Sequence, residues 1–394
     1  MDSRKESGGA YQELIYTLRN IKKLNKDNIK FVTISVSKNL KLEKENFEHY
    51  YFKLNAFDRY IAYLRNFNSL IRGVKKYFFF PNKFENFLKK NNIDLVYFIG
   101  PSQYSLYLEK TKFFMTVPDV GHRENLEFPE IVDSSEFQRK HDIFKKSLPR
   151  ALAVITNCKI IKEKISFFYG ILKERIFLIN HQPSSIIEEF KEINENKLIE
   201  FRNKFKLPLN YIFYPATYSP HKNHRVLIDS LKILKKNSNL NLKMVFCGDD
   251  IGYLANLKKY VKSHDLENEI IFLKFVDDEY LPYLYLDSST LVMPSLLGPT
   301  NIPPWEAFKM NKPVIYSDLP GIRDVLGDAV FYINPMEPEN IVSAIKKIHS
   351  DESLKNKLVL KGKEKLKENY LNSSFNNFFK IIKNYRNIQK TWNL

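Results

Sequence analysis

Short apolar runs alternate with helix-length segments along most of this 394-residue chain, and this alternation is what most constrains its fold. A short apolar run predicts a buried strand, whereas a longer stretch with apolar residues at helical spacing predicts a helix. The predicted strands are 29–35, 50–54, 94–99, 112–117, 152–156, 175–179, 211–215, 242–247, 270–273, 290–293, 313–316 and 329–333. The predicted helices are 11–24, 84–91, 137–147, 160–168, 224–236, 251–263, 278–285, 304–309 and 338–349. Because strands alternate with helices, we expect an α/β fold with parallel sheets.

Two domains are expected, because a domain usually has roughly 100–200 residues. The stretch 184–206 is charged and poor in strand signals, so we place the boundary there, with domains at 1–195 and 196–370. Residues 371–394 form a basic helical tail that can pack on either domain, including a return to the N-terminal one. Ligands of open α/β sheets bind at the carboxyl ends of the strands, so we expect a binding cleft between the domains.

The composition favours a cytoplasmic protein with anionic partners. Its first residues form no apolar signal region, and no apolar run approaches the roughly 20 residues of a membrane helix. Cys158 and Cys247 each adjoin an apolar run and are predicted to be buried small side chains. The net charge of +17 suits nucleic acids, anionic lipids or phosphorylated substrates. An AT-rich genome, which encodes many lysines and few glycines, explains the same charge without any partner.

Basic and aromatic residues are interleaved between residues 59 and 90, where Glu85 is the one acid. This pattern is typical of a membrane interface, where Lys and Arg meet lipid phosphates and aromatic rings lie at headgroup level. It is equally typical of a helix whose aromatic rings face a core and whose charges are solvated. We expect a peripheral contact with the inner face of the cytoplasmic membrane as one use of this stretch.

A turn-rich loop, LLGPTNIPPWEAF at 296–308, joins a predicted strand to a predicted helix. Proline is suited to the first helical position, and a first-turn acid such as Glu306 interacts favourably with the helix dipole. Free N–H groups at such a junction bind anions, so the loop predicts a phosphate-bearing ligand. An ordinary helix start would have the same residues.

Three further motifs follow predicted strands. In PATYSPHKNH, residues 215–224, Lys222 precedes a helix where an ammonium can meet a diphosphate, and Asn223 is a candidate N-cap. In Cys-Gly-Asp-Asp, residues 247–250, the glycine permits close approach of a ligand, and the acids are expected to cap the next helix. In VPDVGHR, residues 117–123, His122 can donate to a sugar hydroxyl or act in acid–base chemistry. A solvated lysine and a structural histidine are the alternatives.

Gly8 and Gly9 precede the helix predicted at 11–24 and can cradle an anion. An α/β domain would place a strand before such a loop, yet only seven residues precede Gly8. That strand is therefore expected to be absent or truncated. Walker, nucleophile-elbow, dinucleotide and paired-cysteine metal motifs are all missing from the sequence, and few acids stand out as a catalytic set, which favours a mechanism with little use of protein carboxylates.

Together these motifs resemble those of the retaining glycosyltransferases of family four, which have the GT-B fold of two Rossmann-like domains facing across a cleft. The resemblance is strongest from Tyr211 to Pro335, through PHKNH, GPTNIPPxE and the stretch YSDLPGIRDVLGDA at 316–329. The N-terminal half matches more loosely, through DVGH at 119–122, FPE at 128–130 and the glycine pair.

The resemblance implies roles for these residues. Lys222 would bind the donor diphosphate, and Glu306 would accept hydrogen bonds from the ribose hydroxyls. His122 would contact the donor sugar near the transferred carbon, and with Lys222 it makes up the implied catalytic pair. The remaining implied donor contacts come from two backbone segments. One contains Gly8 and Gly9, and the other contains Thr300, Asn301 and Ile302.

Two positions depart from the family pattern. Gly298 stands where the family has the first acid of its E-x7-E motif, which reads the donor sugar. Thr217 stands where the family often has an arginine, so phosphate neutralisation falls more heavily on Lys222, on helix N-termini or on another basic residue such as Arg225. The identity of the sugar is therefore open.

The implied function is transfer of a hexose, with retention, from a GDP- or UDP-sugar to a glycan or lipid-linked acceptor in surface polysaccharide synthesis. The leaving phosphate would act as the base, without a metal or protein nucleophile. Two alternatives remain at this point: a catalytically degraded nucleotide-sugar-binding protein, and a basic nucleic-acid-binding protein. No nucleic-acid recognition motif supports the second, so we expect no nucleic-acid partner.

Overall fold

The computed structural model describes residues 9–23, 29–37, 47–67, 82–132, 134–237, 242–299, 301–371 and 375–391. Each of the predicted strands overlaps an observed one. The strands are β1 Val32–Ser35, β2 Glu48–Tyr51, β3 Leu95–Phe98, β4 Lys112–Thr116, β5 Ala153–Thr156, β6 Ile176–Leu178, β7 Tyr211–Pro215, β8 Met244–Cys247, β9 Ile270–Leu273, β10 Ser288–Met293, β11 Val314–Ser317 and β12 Phe331–Ile333.

Helices connect these strands, as the alternating pattern predicted. They are α1 Gly9–Lys23, α2 Ala56–Phe67, α3 Lys83–Lys90, α4 Tyr104–Tyr107, α5 Pro129–Val132, α6 Ser134–Ser147, α7 Lys159–Tyr169, α8 Ser185–Glu188, α9 Glu195–Phe205, α10 His224–Asn237, α11 Leu254–Lys262, α12 Leu281–Asp287, α13 Pro303–Lys309, α14 Ile322–Leu326, α15 Pro338–Ser350, α16 Glu352–Leu371 and α17 Phe375–Gln389. Several helices were not predicted: α4, α5, α8, α9, α14 and α16. A helix in the region of α2 was only one of the alternatives for the stretch 59–90. The buried face of α16 includes Gly362 and Asn369 beside Leu358 and Leu366. Apolar residues therefore do not recur regularly enough along α16 to indicate a helix.

All strand pairs are parallel, which confirms the predicted α/β class. The C-terminal sheet has the order β12-β11-β10-β7-β8-β9, and the N-terminal strands form a four-stranded sheet, β3-β4-β5-β6, and a separate pair, β1-β2. The crossover between the sheets, residues 179–210, contains the predicted domain boundary. Ile187, ahead of that boundary, already packs in the core of the C-terminal sheet.

Helix α1 begins at Gly9, and no strand precedes it in the part of the chain that the structure describes. A cavity of about 470 Å³ lies between β1 and β3 and is also lined by Leu14 and Leu18 of α1.

The basic and aromatic stretch 59–90 is partly described, as α2 and α3, while residues 68–81 lie outside the described part. Phe84 is 3% exposed, whereas Tyr60 is 59% exposed, so the aromatic residues do not share one environment. Glu85 accepts hydrogen bonds from the backbone N–H groups of Glu109, Lys110 and Thr111. Among the described helices, none is long and apolar enough to span a membrane. The membrane contact of this stretch stays a prediction.

Helix α17 crosses back to the N-terminal sheet, as expected for the tail. Phe378 is 1% exposed, and its ring centroid lies 5.2 Å from that of Tyr97 and 5.1 Å from that of Phe114. Helix α17, near the end of the chain, therefore completes the core of the N-terminal sheet.

Replacing Phe378 by alanine is expected to lower the free energy of unfolding by about 3–5 kcal/mol, because a buried ring is lost and a cavity remains. Ile388→Ala in the same helix removes a side chain that is 58% exposed, and should change the free energy of unfolding by less than about 0.5 kcal/mol. Urea denaturation followed by circular dichroism measures both. Equal midpoints for the two variants would mean that α17 does not pack on the sheet through Phe378.

Candidate functional site

The two loops that follow β7 and β10 meet at the carboxyl edge of the C-terminal sheet. Lys222 ends a 3-10 helix, Pro220–Lys222, after β7, and its Nζ lies 3.4 Å from Oδ1 of Asn301 after β10. The N–H of Leu296 also donates to the carbonyl of His221, at 2.8 Å. The structure therefore brings together Lys222 and Asn301, both predicted to contact one ligand.

The side chain of Lys222 is partly buried. Burial lowers its pKa to about 8, although the carboxylate of Asp119 acts in the opposite direction. Lys222 forms no ion pair with a carboxylate among the described residues, so an incoming anion would stabilise its charged form.

Asn301 holds the loop in its observed shape. Its Nδ2 donates to the carbonyl of Gly298 at 3.1 Å and to the hydroxyl of Tyr316, which in turn donates to the same carbonyl. Ile302 occupies the position before α13 and is 8% exposed. Thr300, the third residue predicted in this segment, lies outside the described residues.

Glu306 is 4% exposed, in the first turn of α13. Its Oε2 accepts from the hydroxyl of Tyr285 at 2.7 Å, and its Oε1 accepts from the N–H of Ser184 at 3.3 Å. Burial raises the pKa of Glu306, and these hydrogen bonds partly offset that rise. Because a carboxylate has about four acceptor positions, the two predicted ribose hydrogen bonds remain compatible with these partners.

His122 is buried and lies in the N-terminal half, in a 3-10 helix after β4. Its Nε2 is 2.8 Å from the hydroxyl of Tyr169, and Phe144 packs against its ring. Burial lowers its pKa to about 4, so the imidazole is neutral at pH 7. Its Nδ1 is buried without a hydrogen-bond partner among the described residues. A neutral ring suits a hydrogen-bonding role better than that of a general acid.

Glu130 and His221 join the two halves of the chain across the cleft. Oε1 of Glu130 lies 2.6 Å from Nδ1 of His221 and 3.0 Å from its backbone nitrogen. Burial acts to raise the pKa of Glu130, but the hydrogen bonds from His221 outweigh it and the pKa is lowered. Both residues belong to motifs that the sequence singled out, but nothing in the sequence paired them.

A second junction links the crossover to the end of α16. Asn369 is 4% exposed; its Nδ2 donates to the carbonyl of His181 at 2.7 Å, and its Oδ1 accepts from Asn180 at 3.0 Å. The two chain segments that pass between the halves are thus bonded to each other. Sequence reasoning missed this junction because a buried asparagine in a charged helix gives no pattern.

Two expectations for individual residues need correction, those for Asn223 and Gly248, and one for Asp250 is confirmed. Asn223 precedes α10, but its side chain donates to the carbonyls of Pro335 and Pro294 rather than accepting from the helix, and its φ is +55°. Gly248 is approached by the backbone of Ala216, whose oxygen would lie 2.0 Å from an added Cβ, rather than being open for a ligand. Asp250 does cap α11, by accepting from the N–H of Leu254 at 3.1 Å.

The glycine pair is partly described. Gly8 lies outside the described residues, and Gly9 is the exposed first residue of α1. An added Cβ at Gly9 would lie 3.8 Å from Cδ1 of Ile302, so the start of α1 adjoins the loop after β10. The described residues contain no group of three or more His, Cys, Asp or Glu side chains arranged to hold a metal ion.

Comparison with known proteins finds relatives that are glycosyltransferases. Residues 195–365 match the family model described as Glycosyl transferases group 1. The O-antigen chain mannosyltransferase RfbU of Salmonella typhimurium is 30% identical over 206 residues, which are 52% of this chain and 53% of RfbU. The chain thus matches about half the length of this curated relative.

Solved structures show the fold. A glycosyltransferase from Rickettsia africae is 19% identical and superposes with a TM-score of 0.70 over 96% of both chains. Anabaena Alr3699/HepE in complex with UDP-glucose is 15% identical, with a TM-score of 0.69 over 98% of both chains. These likenesses confirm the predicted GT-B arrangement of two parallel-sheet halves around a cleft.

Replacing Asn369 by alanine is expected to lower the free energy of unfolding by about 1–3 kcal/mol, because buried polar groups of the crossover lose their partner. Asn356→Ala, at an exposed position of the same helix, is the matched control and should change the free energy of unfolding by less than about 0.5 kcal/mol. Thermal and urea denaturation measure the difference. If both variants unfold like the unchanged chain, Asn369 does not secure the junction.

Proposed function

We propose that this protein is a retaining glycosyltransferase that moves a hexose from a nucleotide-diphosphate sugar to a hydroxyl of a glycan or lipid-linked acceptor. The observation that carries the proposal is the convergence of Lys222, Asn301 and Glu306 at the carboxyl edge of one parallel sheet. The match of residues 195–365 to a glycosyltransferase family model supports it. The likeness to RfbU supports a mannose-type donor and a place in surface polysaccharide synthesis.

The donor would lie with its ribose at Glu306 and its diphosphate at Lys222. Glu306 has acceptor positions left after Ser184 and Tyr285, and a buried carboxylate forms stronger hydrogen bonds than a solvated one. The ammonium of Lys222 meets the negative charge that develops on the leaving diphosphate, so it stabilises the transition state more than the ground state.

The acceptor hydroxyl would enter on the face that the diphosphate leaves, and the departing phosphate oxygen would take its proton. The new glycosidic bond forms at the anomeric carbon as the bond to the diphosphate breaks, and the configuration is retained. His122, neutral and with an unpartnered Nδ1, would donate a hydrogen bond to the donor sugar. Glu130 and His221 would hold the halves together so that water is excluded during transfer.

The acceptor is proposed to be lipid-linked and presented at the cytoplasmic face of the membrane, with the stretch 59–90 as the contact. The basic side chains of this stretch support that contact. The reaction is proposed to need no metal ion, since Lys222 supplies positive charge at the leaving group.

A binding protein without transferase activity is the second candidate. Two positions favour it: Gly298 replaces the sugar-reading acid of the family motif, and Thr217 replaces an arginine. Isothermal titration that detects nucleotide-sugar binding, with no transfer or hydrolysis in a product assay, would select this candidate.

Lys222→Ala and Glu306→Ala are expected to lower kcat/KM with GDP- and UDP-sugars by about 100-fold or more, because each removes a charged contact with the donor. Lys232→Ala, which removes an exposed cation further along α10, is the control and should keep most activity. Turnover by the unchanged chain should persist in a chelator. Unchanged rates in both alanine variants would overturn the assignment of the site.

The affinity for a nucleoside diphosphate is expected to depend on the protonation of Lys222. Its pKa is about 8 in the free protein, so the binding ammonium form is lost as the pH rises past that value. Affinity should then fall by up to about tenfold per pH unit above pH 8. Lys222→Arg keeps its charge and should give a flat profile over the same range. A flat profile for the unchanged chain would contradict a direct contact between Lys222 and the diphosphate.

A further inference from the structure

A pocket outside the cleft lies between α6 and the end of α7. It is lined by Arg123, His141, Lys145, Phe168, Tyr169 and Gly170. Three of these side chains are basic, and none is acidic. The residues come from three separate segments of the chain, so the tertiary fold, rather than a local run of charge, brings them together.

The positive charge of this pocket is not neutralised locally. No ion pair forms at Arg123 or Lys145 within the described part of the chain, although the guanidinium of Arg123 lies 5.4 Å from the ring centroid of Phe168. Two acids close in sequence to the lining residues have other partners: Asp142 lies 3.1 Å from Lys146, and Glu124 lies 2.7 Å from Lys164. A third acid, Asp119, acts on Tyr169 through its charge and accepts from the N–H of Gly121 at 3.0 Å.

His141 adds a polar group that lacks a partner. Its Nδ1 is buried and forms no hydrogen bond among the described residues, while its ring stacks on Phe137 at 5.9 Å. Burial lowers its pKa, and the neighbouring charges of Arg123, Lys145 and Lys146 lower it further, against Asp142. A bound anion would raise the pKa of His141, as Asp142 does, and so would counteract the lowering by burial and by the three cations.

We propose that this pocket binds a phosphate group at a site separate from the donor cleft. A guanidinium recognises phosphate oxygens with two hydrogen bonds, and Lys145 adds a point charge. The proposal does not depend on the activity proposed above.

Two features of the pocket and its surroundings suit different sources of the phosphate. Phe167 and Leu172 are 83% and 65% exposed beside it, which suits the headgroup of an anionic lipid. Tyr169, which lines the pocket, is hydrogen-bonded to His122 at 2.8 Å, which suits a phosphorylated soluble ligand near the cleft. Both sources present the same chemistry to Arg123, His141 and Lys145.

The first experiment follows the imidazole of His141 by NMR during titration with inorganic phosphate. It uses the Lys222→Ala chain, so that phosphate binding at Lys222 does not contribute, and the signal is assigned by its loss in His141→Gln. Phosphate is expected to raise the pKa of His141. The double variant Arg123→Ala/Lys145→Ala should bind phosphate at least about tenfold more weakly.

Lys258→Ala/Lys259→Ala, which removes two exposed lysines of α11, is the matched control and should behave like the parent chain. An unchanged His141 titration in the presence of phosphate would overturn the proposal. So would an equal response in the Arg123→Ala/Lys145→Ala and control variants.

The second experiment separates the two sources with vesicles of phosphatidylglycerol or of phosphatidylcholine. A lipid source predicts sedimentation with the anionic vesicles that is lost in Phe167→Ser/Leu172→Ser and kept in Leu209→Ser, a residue 60% exposed elsewhere. A soluble source predicts phosphate binding without this dependence on Phe167 and Leu172. Each result retains the pocket and assigns its ligand.

Discussion

The buried carboxylate of Glu306 is the constraint on which the arrangement of the cleft depends. A carboxylate removed from water is costly unless hydrogen bonds compensate it, and here the Tyr285 hydroxyl and the Ser184 N–H do so. Ser184 belongs to the crossover between the sheets, so the first turn of α13 is fixed relative to the chain that joins the two halves. The loop before α13 is fixed in turn. Asn301, which belongs to that loop, is therefore held beside Lys222.

Polar contacts and a small apolar contact, Val325 of α14 against the core of the N-terminal sheet, hold the two halves together, whereas larger apolar cores hold each half internally. The cleft is bridged by Glu130 and His221, and the connecting segments are joined at Asn369. A few hydrogen bonds with partial access to water break at a smaller free-energy cost than a buried core. The fold therefore permits opening and closing of the cleft as a motion distinct from unfolding, which the proposed transfer reaction would need to admit and release its ligands.

The strands could be predicted because central parallel strands are buried on both faces and form continuous apolar runs, as in β7 and β10. Lys222, Asn301 and Glu306 could be placed near one another for a related reason: each follows a strand whose carboxyl end lies at the same edge. The contacts of His122 with Tyr169, of His221 with Glu130 and of the crossover with Asn369 could not be predicted. They join residues far apart in the chain, through side chains whose positions depend on packing between elements.

The loop after β10 shows how backbone geometry constrains what this site can recognise. Gly298 has a φ of +87°, a conformation that costs an L-residue about 1 kcal/mol or more. Its carbonyl accepts from Asn301 and from Tyr316, so the turn is held by its own hydrogen bonds. An acid at this position would strain the turn as well as add a carboxylate. The proposed replacement of a sugar-reading acid by Gly298 would therefore change the loop conformation as well as remove one side chain, and recognition of the sugar would use groups that this conformation presents.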